Sequence, residues 1–332
     1  MSDGNEPVRL GVVGLGWWGG ELADAAARSG AAVVACYART DSARLDFAEA
    51  WGCRAATSFR ELISADDVEG VVLATPHSVH GEQVREAAAA GKAVLVDKPF
   101  TLSVADGQRA VAAAADAGTV LMVGHQRRRA AAVRRIRAML DDGRLGTPLL
   151  ATSVFTVGRG FPANWRSSRH ESPLGGMTGL GVHMIDTFHY LLGPIRRVSA
   201  FSNGVLAGEP LDHATGLLFE FASGAVGNLV TSHFNPLTEE LCVFGSAASA
   251  ASTDEGTRLF TQQRSETARR EVPLAATDPL AEQLAEFAAA VRGEGSVETD
   301  GEAGLAVIAV LEAAVASVER GEAVDVAEFA GD

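Results

Sequence analysis

Short apolar runs without alternation recur along the first part of the chain, at residues 8–13, 33–38, 71–74, 93–96 and 120–123. A run that is apolar at every position buries both of its faces, the pattern of a strand in a parallel sheet covered on each side by helices. Segments of helical composition separate the runs, at 21–29, 41–51, 81–90 and 103–117. Strand and helix in alternation predict βαβ units and a doubly wound parallel sheet.

After Gly124 the rhythm changes. The pattern predicts a helix over 130–140, a strand over 148–157, a polar loop over 159–173, and a helix over 176–192 stopped by Gly193 and Pro194. Apolar runs at 198–201, 215–221 and 225–233 follow, the last two joined by Ala222, Ser223 and Gly224. Short strands joined by tight turns predict an antiparallel sheet. Residues 246–257, small and polar, read as a surface loop, and helices over 279–292 and 301–320 end the pattern. The expected division is a doubly wound α/β domain over 1–126 and an α+β domain over 127–332. Few helices follow the second sheet, so one apolar face is expected to be covered by self-association, as a homodimer or a homotetramer.

Composition agrees with two cores rather than one. The chain has 332 residues, 47% hydrophobic and 21% charged, close to ordinary globular usage. Its 42 acidic and 28 basic side chains leave a formal charge of −14, which excludes nucleic acid and anionic membrane as expected partners. The local run Arg127, Arg128, Arg129, Arg134, Arg135 and Arg137 gives way to Asp141 and reads as a solvated helix face or an interface. Cys36, Cys53 and Cys242 form no CxxC pair, and no histidine pair has metal-ligand spacing with a carboxylate, so neither a disulfide framework nor a metal is expected. The opening MSDGNEPVRL lacks a cationic stretch followed by an apolar one, and no apolar segment reads as long enough to span a bilayer; the expected location is cytoplasmic.

Two glycine-rich stretches carry the candidate chemistry. GLGWWG at 14–19 fits GxGxxG between a strand and a helix, the context in which that spacing cradles a dinucleotide. Gly14 would make the turn, Gly16 admit the pyrophosphate to the backbone and Gly19 permit close helix packing, with Trp17 and Trp18 walling the cofactor. The second strand ends in Tyr37, Ala38, Arg39 and Thr40, without the acidic residue that binds a ribose 2′-hydroxyl. Arg39 and Thr40 suit a 2′-phosphate, so NADP(H) is expected over NAD(H). The second stretch, GGMTGLGVHMID at 175–186, opens into a helix bearing His183 and Asp186.

These stretches, with ATPHSVH at 74–80, DKP at 97–99, GHQRR at 124–128 and DGEAGLAVIAVLEAAVASVERGEAV at 300–324, resemble the glucose-fructose oxidoreductase, inositol dehydrogenase and MocA (Gfo/Idh/MocA) family. The resemblance covers nearly the whole chain. It implies a Rossmann domain, a second domain with a large, mostly antiparallel sheet for substrate binding and oligomerisation, and NAD(P)-dependent oxidation or reduction of sugars and cyclic polyols. The family's lysine falls on Lys98, where a cation can hold the reacting oxygen and part of the cofactor. Its histidine falls on His183, suited to carry the proton. Thr75, Pro76 and His80 are expected beside the cofactor, and His77, His125, Trp165, Arg166 and Asp186 beside the substrate. His213 and His233 are further candidates to face it. One position departs from the pattern: where many members carry a catalytic aspartate, four residues before the histidine, this chain has Gly179. That leaves a two-residue mechanism, a substrate supplying its own charge, or a carboxylate from elsewhere. The alternatives to a polyol enzyme are a dehydrogenase of aromatic dihydrodiols and a noncatalytic NADP-binding sensor of the same fold.

Overall fold

The computed structural model describes residues 6–209 and 211–330. The chain forms two compact units, one comprising residues up to Gly124 with Leu280–Leu305, the other His125–Pro279 with the residues from Ala306 on.

In the first unit six strands, β1 (Arg9–Val13), β2 (Ala32–Tyr37), β3 (Arg54–Ala55), β4 (Gly70–Leu73), β5 (Ala93–Val96) and β6 (Leu121–Val123), form one sheet in the order β3-β2-β1-β4-β5-β6. Every neighbouring pair is parallel. This is the doubly wound order in which the chain reverses direction beside β1, and ligands sit at the carboxyl ends of strands there. Helices α1 (Trp17–Arg28), α2 (Asp41–Trp51), α3 (Phe59–Ile63), α4 (His80–Ala89) and α5 (Val104–Ala117) connect them. β4 and β5 are buried at all positions, as their unbroken apolar runs require.

The second unit contains α6 (Ala131–Asp141), β7 (Pro148–Thr156), α7 (Val182–Leu192), β8 (Ile195–Asn203), β9 (Ala214–Phe221), β10 (Val226–Ser232), β11 (Thr238–Gly245), β12 (Ala248–Thr253), β13 (Arg258–Gln263) and β14 (Arg270–Val272). Then come α8 (Pro279–Val291), α9 (Gly301–Arg320) and β15 (Val324–Asp325). The nine strands β7–β15 form one sheet in the order β14-β13-β12-β11-β7-β10-β9-β8-β15, antiparallel except between β7 and β10. Its inner face buries Phe155, Leu217, Phe219, Phe221, Leu229 and Leu241. Phe188 of α7 packs on Phe219, with ring centroids 5.2 Å apart. The opposite face exposes Leu150, Val154, Phe201, Leu218, Val226 and Val230.

Three expectations are corrected. The 246–257 stretch is no loop over 248–253: β12 is a mostly buried strand, because its small side chains fit a crowded sheet face. The chain from Leu280 to Leu305 returns to the first unit, where Leu284, Phe287 and Ala288 join the core of Leu10, Leu22, Leu95 and Met122, so the second domain is not one continuous 127–332 segment. Among the described residues one helix, α9, is long and apolar enough to cross a membrane, with mean hydropathy 1.7 over its most apolar window; 61% of that window is buried inside the protein.

Candidate active site

In the first unit the chain leaves β1 through Gly14, whose φ of +90° lies in the region only glycine enters freely. A Cβ there would collide with the Ala74 carbonyl, and one on Gly19 with the Gly14 carbonyl. At Gly16 a Cβ would meet nothing within 4 Å. Gly16 is also the cap of α1 and offers no side chain to its leading N–H groups. An open backbone at the start of a helix, its donors unfilled by a cap, fits a dinucleotide pyrophosphate. Arg39 and Thr40 are exposed past the end of β2, and Thr40 caps α2 without using its hydroxyl. The nearby Asp41 carboxylate pairs with Arg44 at 2.7 Å.

Trp17 is 70% exposed, whereas Trp18 is half-buried against the core of its own unit. His80 is also corrected. Its ring is fully buried, with Nδ1 3.0 Å from the Pro99 carbonyl and Nε2 3.0 Å from the Thr75 carbonyl, so both nitrogens are committed inside the protein. It braces the turn after β4 against the segment after β5. Burial pushes the ring toward its neutral form, against the pull of Asp97 and the carbonyls. Pro76 opens a short turn over His77–Val79, Thr75 Oγ1 donates to Gln83 Oε1 at 2.6 Å, and His77 is buried edge-on to His80. Lys98 is half-buried two residues after β5, and its bond to Pro99 is cis.

In the second unit the glycine stretch forms a π-helical turn, Met177–Gly181, that runs directly into α7. Gly175 has φ +54° and a Cβ there would collide with the Asp212 carbonyl; a Cβ on Gly181 would collide with the Met177 sulfur. His183, second residue of α7, is 6% exposed, its ring centroid 6.3 Å from that of Phe155 on β7. Arg127 lies over the same Phe155 ring at 5.2 Å and pairs with Glu239 of β11 at 2.5 Å. Burial pushes the Glu239 carboxyl up, against the attraction of Arg127.

Asp186 is not a substrate contact. It is 0% exposed and receives Arg128 Nε at 2.9 and 2.8 Å, one bond to each oxygen, and a guanidinium NH2 at 2.6 Å. Three residues past His183, it faces inward to a cation. The arginine run is corrected with it: Arg128 and Arg129 are buried, Arg129 donates to the His125 carbonyl at 3.3 Å, and Arg134 and Arg137 bond Tyr190. The His125 ring is buried, while Trp165 and Arg166 are half-buried, the guanidinium 4.1 Å over the indole. Sequence reasoning missed the Arg127–Glu239 and Arg128–Asp186 pairs. The available signal was an arginine cluster placed directly after the last parallel strand, where little surface remains to solvate it.

A doubly wound dinucleotide-binding unit joined in one chain to an α/β unit bearing a helix-borne histidine defines a nicotinamide-type oxidoreductase. Residues 8–125 match the oxidoreductase family Gfo/Idh/MocA in its NAD-binding Rossmann fold, and residues 133–251 match that family's C-terminal domain. The chain belongs to the Gfo/Idh/MocA family. It is 31% identical to a D-apiose dehydrogenase of Paraburkholderia graminis, covering 80% of this chain and 74% of that one. It is 28% identical to a 1,5-anhydro-D-fructose reductase of Ensifer adhaerens, covering 82% and 84%. A solved structure from Desulfitobacterium hafniense, assigned to the NADPH-dependent oxidoreductases, superposes with a TM-score of 0.92 at 30% identity over 98% of this chain and 99% of that one.

Proposed function

We propose that the protein moves a hydride between NADP and a secondary alcohol or ketone of a sugar or cyclic polyol. The observation that carries this is His183: a histidine buried at the start of α7, just past a π-turn, and beside Phe155, whose ring also carries Arg127, in a chain whose other unit has the open Gly16 backbone that fits a dinucleotide. When bound, the nicotinamide supplies the two-electron chemistry. The open backbone at Gly16 would hold its pyrophosphate, on a turn that Gly14 and Gly19 make possible. Lys98 donates a hydrogen bond to the reacting oxygen and stabilises its negative charge. His183 Nε2 or Nδ1 takes the hydroxyl proton in oxidation and returns it in reduction. An apolar wall such as Phe155 limits water around the imidazole.

NADP is favoured because Arg39 and Thr40 are exposed beyond β2 and the adjacent Asp41 is engaged by Arg44. The chain's oligomer is proposed to pair the exposed face of the nine-stranded sheet, where Val226 lies opposite Leu150 and Val230 opposite Val154. The test of the function is nicotinamide absorbance on a panel of sugars and cyclic polyols, with NADP and NAD in turn at low ionic strength. Turnover of a panel member, faster with NADP, is the expected result. Equal binding of the two dinucleotides removes the cofactor preference, and no turnover with any member removes the enzymatic reading.

A further inference from the structure

Two of the three cysteines stand together in the first unit. In the parallel pair β2 and β3, Cys36 lies beside Ala55, and Cys53 comes two residues before Ala55, one pleat repeat back on the same side of the sheet. Both belong to one apolar cluster with Phe47, Ala48 and Trp51 of α2; Cys36 is fully buried in it and Cys53 half-buried against it. The backbone holds Cys53 there, its N–H donating to the Ala48 carbonyl at 3.1 Å. The Cys36 S–H lies between two acceptors, the Arg44 carbonyl of α2 at 3.4 Å and the Cys53 sulfur. Cys242, the third cysteine, is on β11 in the other unit.

This contact gives the two thiols unlike chemistry. The hydrogen bond from Cys36 holds Cys53 toward its thiolate, against burial, with a smaller pull from Arg54, which pairs with Asp67 at 3.0 Å. The same bond, followed by burial, holds Cys36 toward its protonated form. A half-buried sulfur with thiolate character is the one a small oxidant attacks, and a thiol in contact with it is placed to resolve the product. The stretch between the two cysteines contains Arg39, Thr40 and the whole of α2. The carbonyl of Tyr37, next to Cys36, receives the Gly14 N–H at 3.1 Å, so backbone links this sulfur pair to the glycine turn.

We propose that Cys36 and Cys53 are a peroxide-responsive pair whose disulfide closes the α2 loop and lowers affinity for NADP. In the first step the Cys53 thiolate attacks one oxygen of hydrogen peroxide, forming S–OH as the O–O bond breaks. The hydroxide that leaves becomes water with the proton Cys53 gave up. In the second step the Cys36 sulfur attacks the Cys53 sulfur: the S–S bond forms, the S–O bond breaks, and the hydroxide leaves as water with the Cys36 proton. Both sulfurs are oxidised and the peroxide is reduced to water. The disulfide consumes the hydrogen that bonded the Arg44 carbonyl, and with it a tie from β2 to the helix that Thr40 caps. The effect on affinity rests on the NADP reading of Arg39 and Thr40; formation of the bond does not.

The test treats the reduced full-length protein with hydrogen peroxide, maps its peptides without reductant, and titrates NADP before and after. The expected result is loss of two hydrogens from the chain, a linked Cys36–Cys53 peptide pair, and a fall in NADP affinity of at least about fivefold that dithiothreitol reverses. Cys53→Ser is expected to remove both the link and the fall, and Cys242→Ser to keep both. A link to Cys242, Cys53 carried to sulfinic or sulfonic acid with Cys36 still open to alkylation, or a Cys36–Cys53 link that leaves NADP affinity unchanged overturns the proposal. The mapping is made on the parent chain and decides the thiol chemistry even if Cys53→Ser does not fold. Should the reduced protein bind no NADP, the cofactor reading and the effect on affinity fail together, whereas the linked pair, present or absent, still decides the modification site.

Discussion

The molecule contains two glycine-rich turns that open into helices, and they use glycine for different ends. In the first, Gly14 and Gly19 are there because backbone stands where a Cβ would go, and Gly16 leaves open space at the start of α1, which fits a ligand. In the second, Gly175 and Gly181 again answer to local crowding, but Gly179 answers to none. A Cβ there would meet His233 Nε2 at 3.6 Å, an ordinary contact. A glycine required by geometry and one that leaves room look alike in a sequence. They part only when the neighbours of the missing Cβ are known.

The first turn is the less tolerant of the two. Gly14→Ala combines an unfavourable φ with a collision against the Ala74 carbonyl, and is expected to cost about 4 kcal/mol or more and to abolish dinucleotide binding. Denaturant melts and cofactor titration read both effects; a variant that still binds would remove the geometric account of this turn. Next comes the support beneath the second turn. Arg128→Met strands the Asp186 carboxylate in the interior and is expected to cost about 3–5 kcal/mol, while Arg128→Met with Asp186→Leu recovers most of it. Equal losses in the single and double variants would mean that the pair holds the helix by packing alone.

A smaller effect separates the two turns by pH. His189, on the helix that the second turn starts, is pushed down from 6.5 to about 4, chiefly by burial and despite Asp186. The unfolded chain therefore binds the extra proton first. This contribution to stability is complete above pH 6.5 and is lost as pH falls toward 4, by at most about 3 kcal/mol. His80 adds loss in the same direction. His189→Gln should flatten that acid limb of the stability profile; an unchanged limb would assign it to other groups. Smallest of all is Gly179→Ala. Its Cβ makes only ordinary contact with His233, so stability should stay within about 1 kcal/mol of the parent, in contrast to Gly14→Ala. A large loss in the melt would show that Gly179 is structural after all.

The parallel sheet was legible because its strands are apolar at every position and its turns carry glycine; the run at Ala93–Val96 is β5 to the residue. The edge of the second sheet was not. β12 reads ASAAST, a composition shared by loops, and it becomes a strand only because β11 and β13 pair with it on both sides. The candidate site divides the same way. Gly14, Gly19 and His183 follow from local pattern, whereas the inward turn of Asp186 toward Arg128 depends on residues 58 positions apart in sequence. His233 and Gly179 are 54 positions apart, and no local periodicity relates a strand's end to a helix's missing side chain.

The role of His183 as the carrier of the proton is read from the turnover of His183→Asn beside its affinity for NADP. Asparagine keeps a polar side chain of smaller size and cannot take up a proton at neutral pH. The expected result is a fall in kcat of about a hundredfold to ten-thousandfold with dinucleotide affinity preserved within about twofold. Retention of kcat near that of the parent, with the same substrate and intact cofactor binding, would contradict the claim.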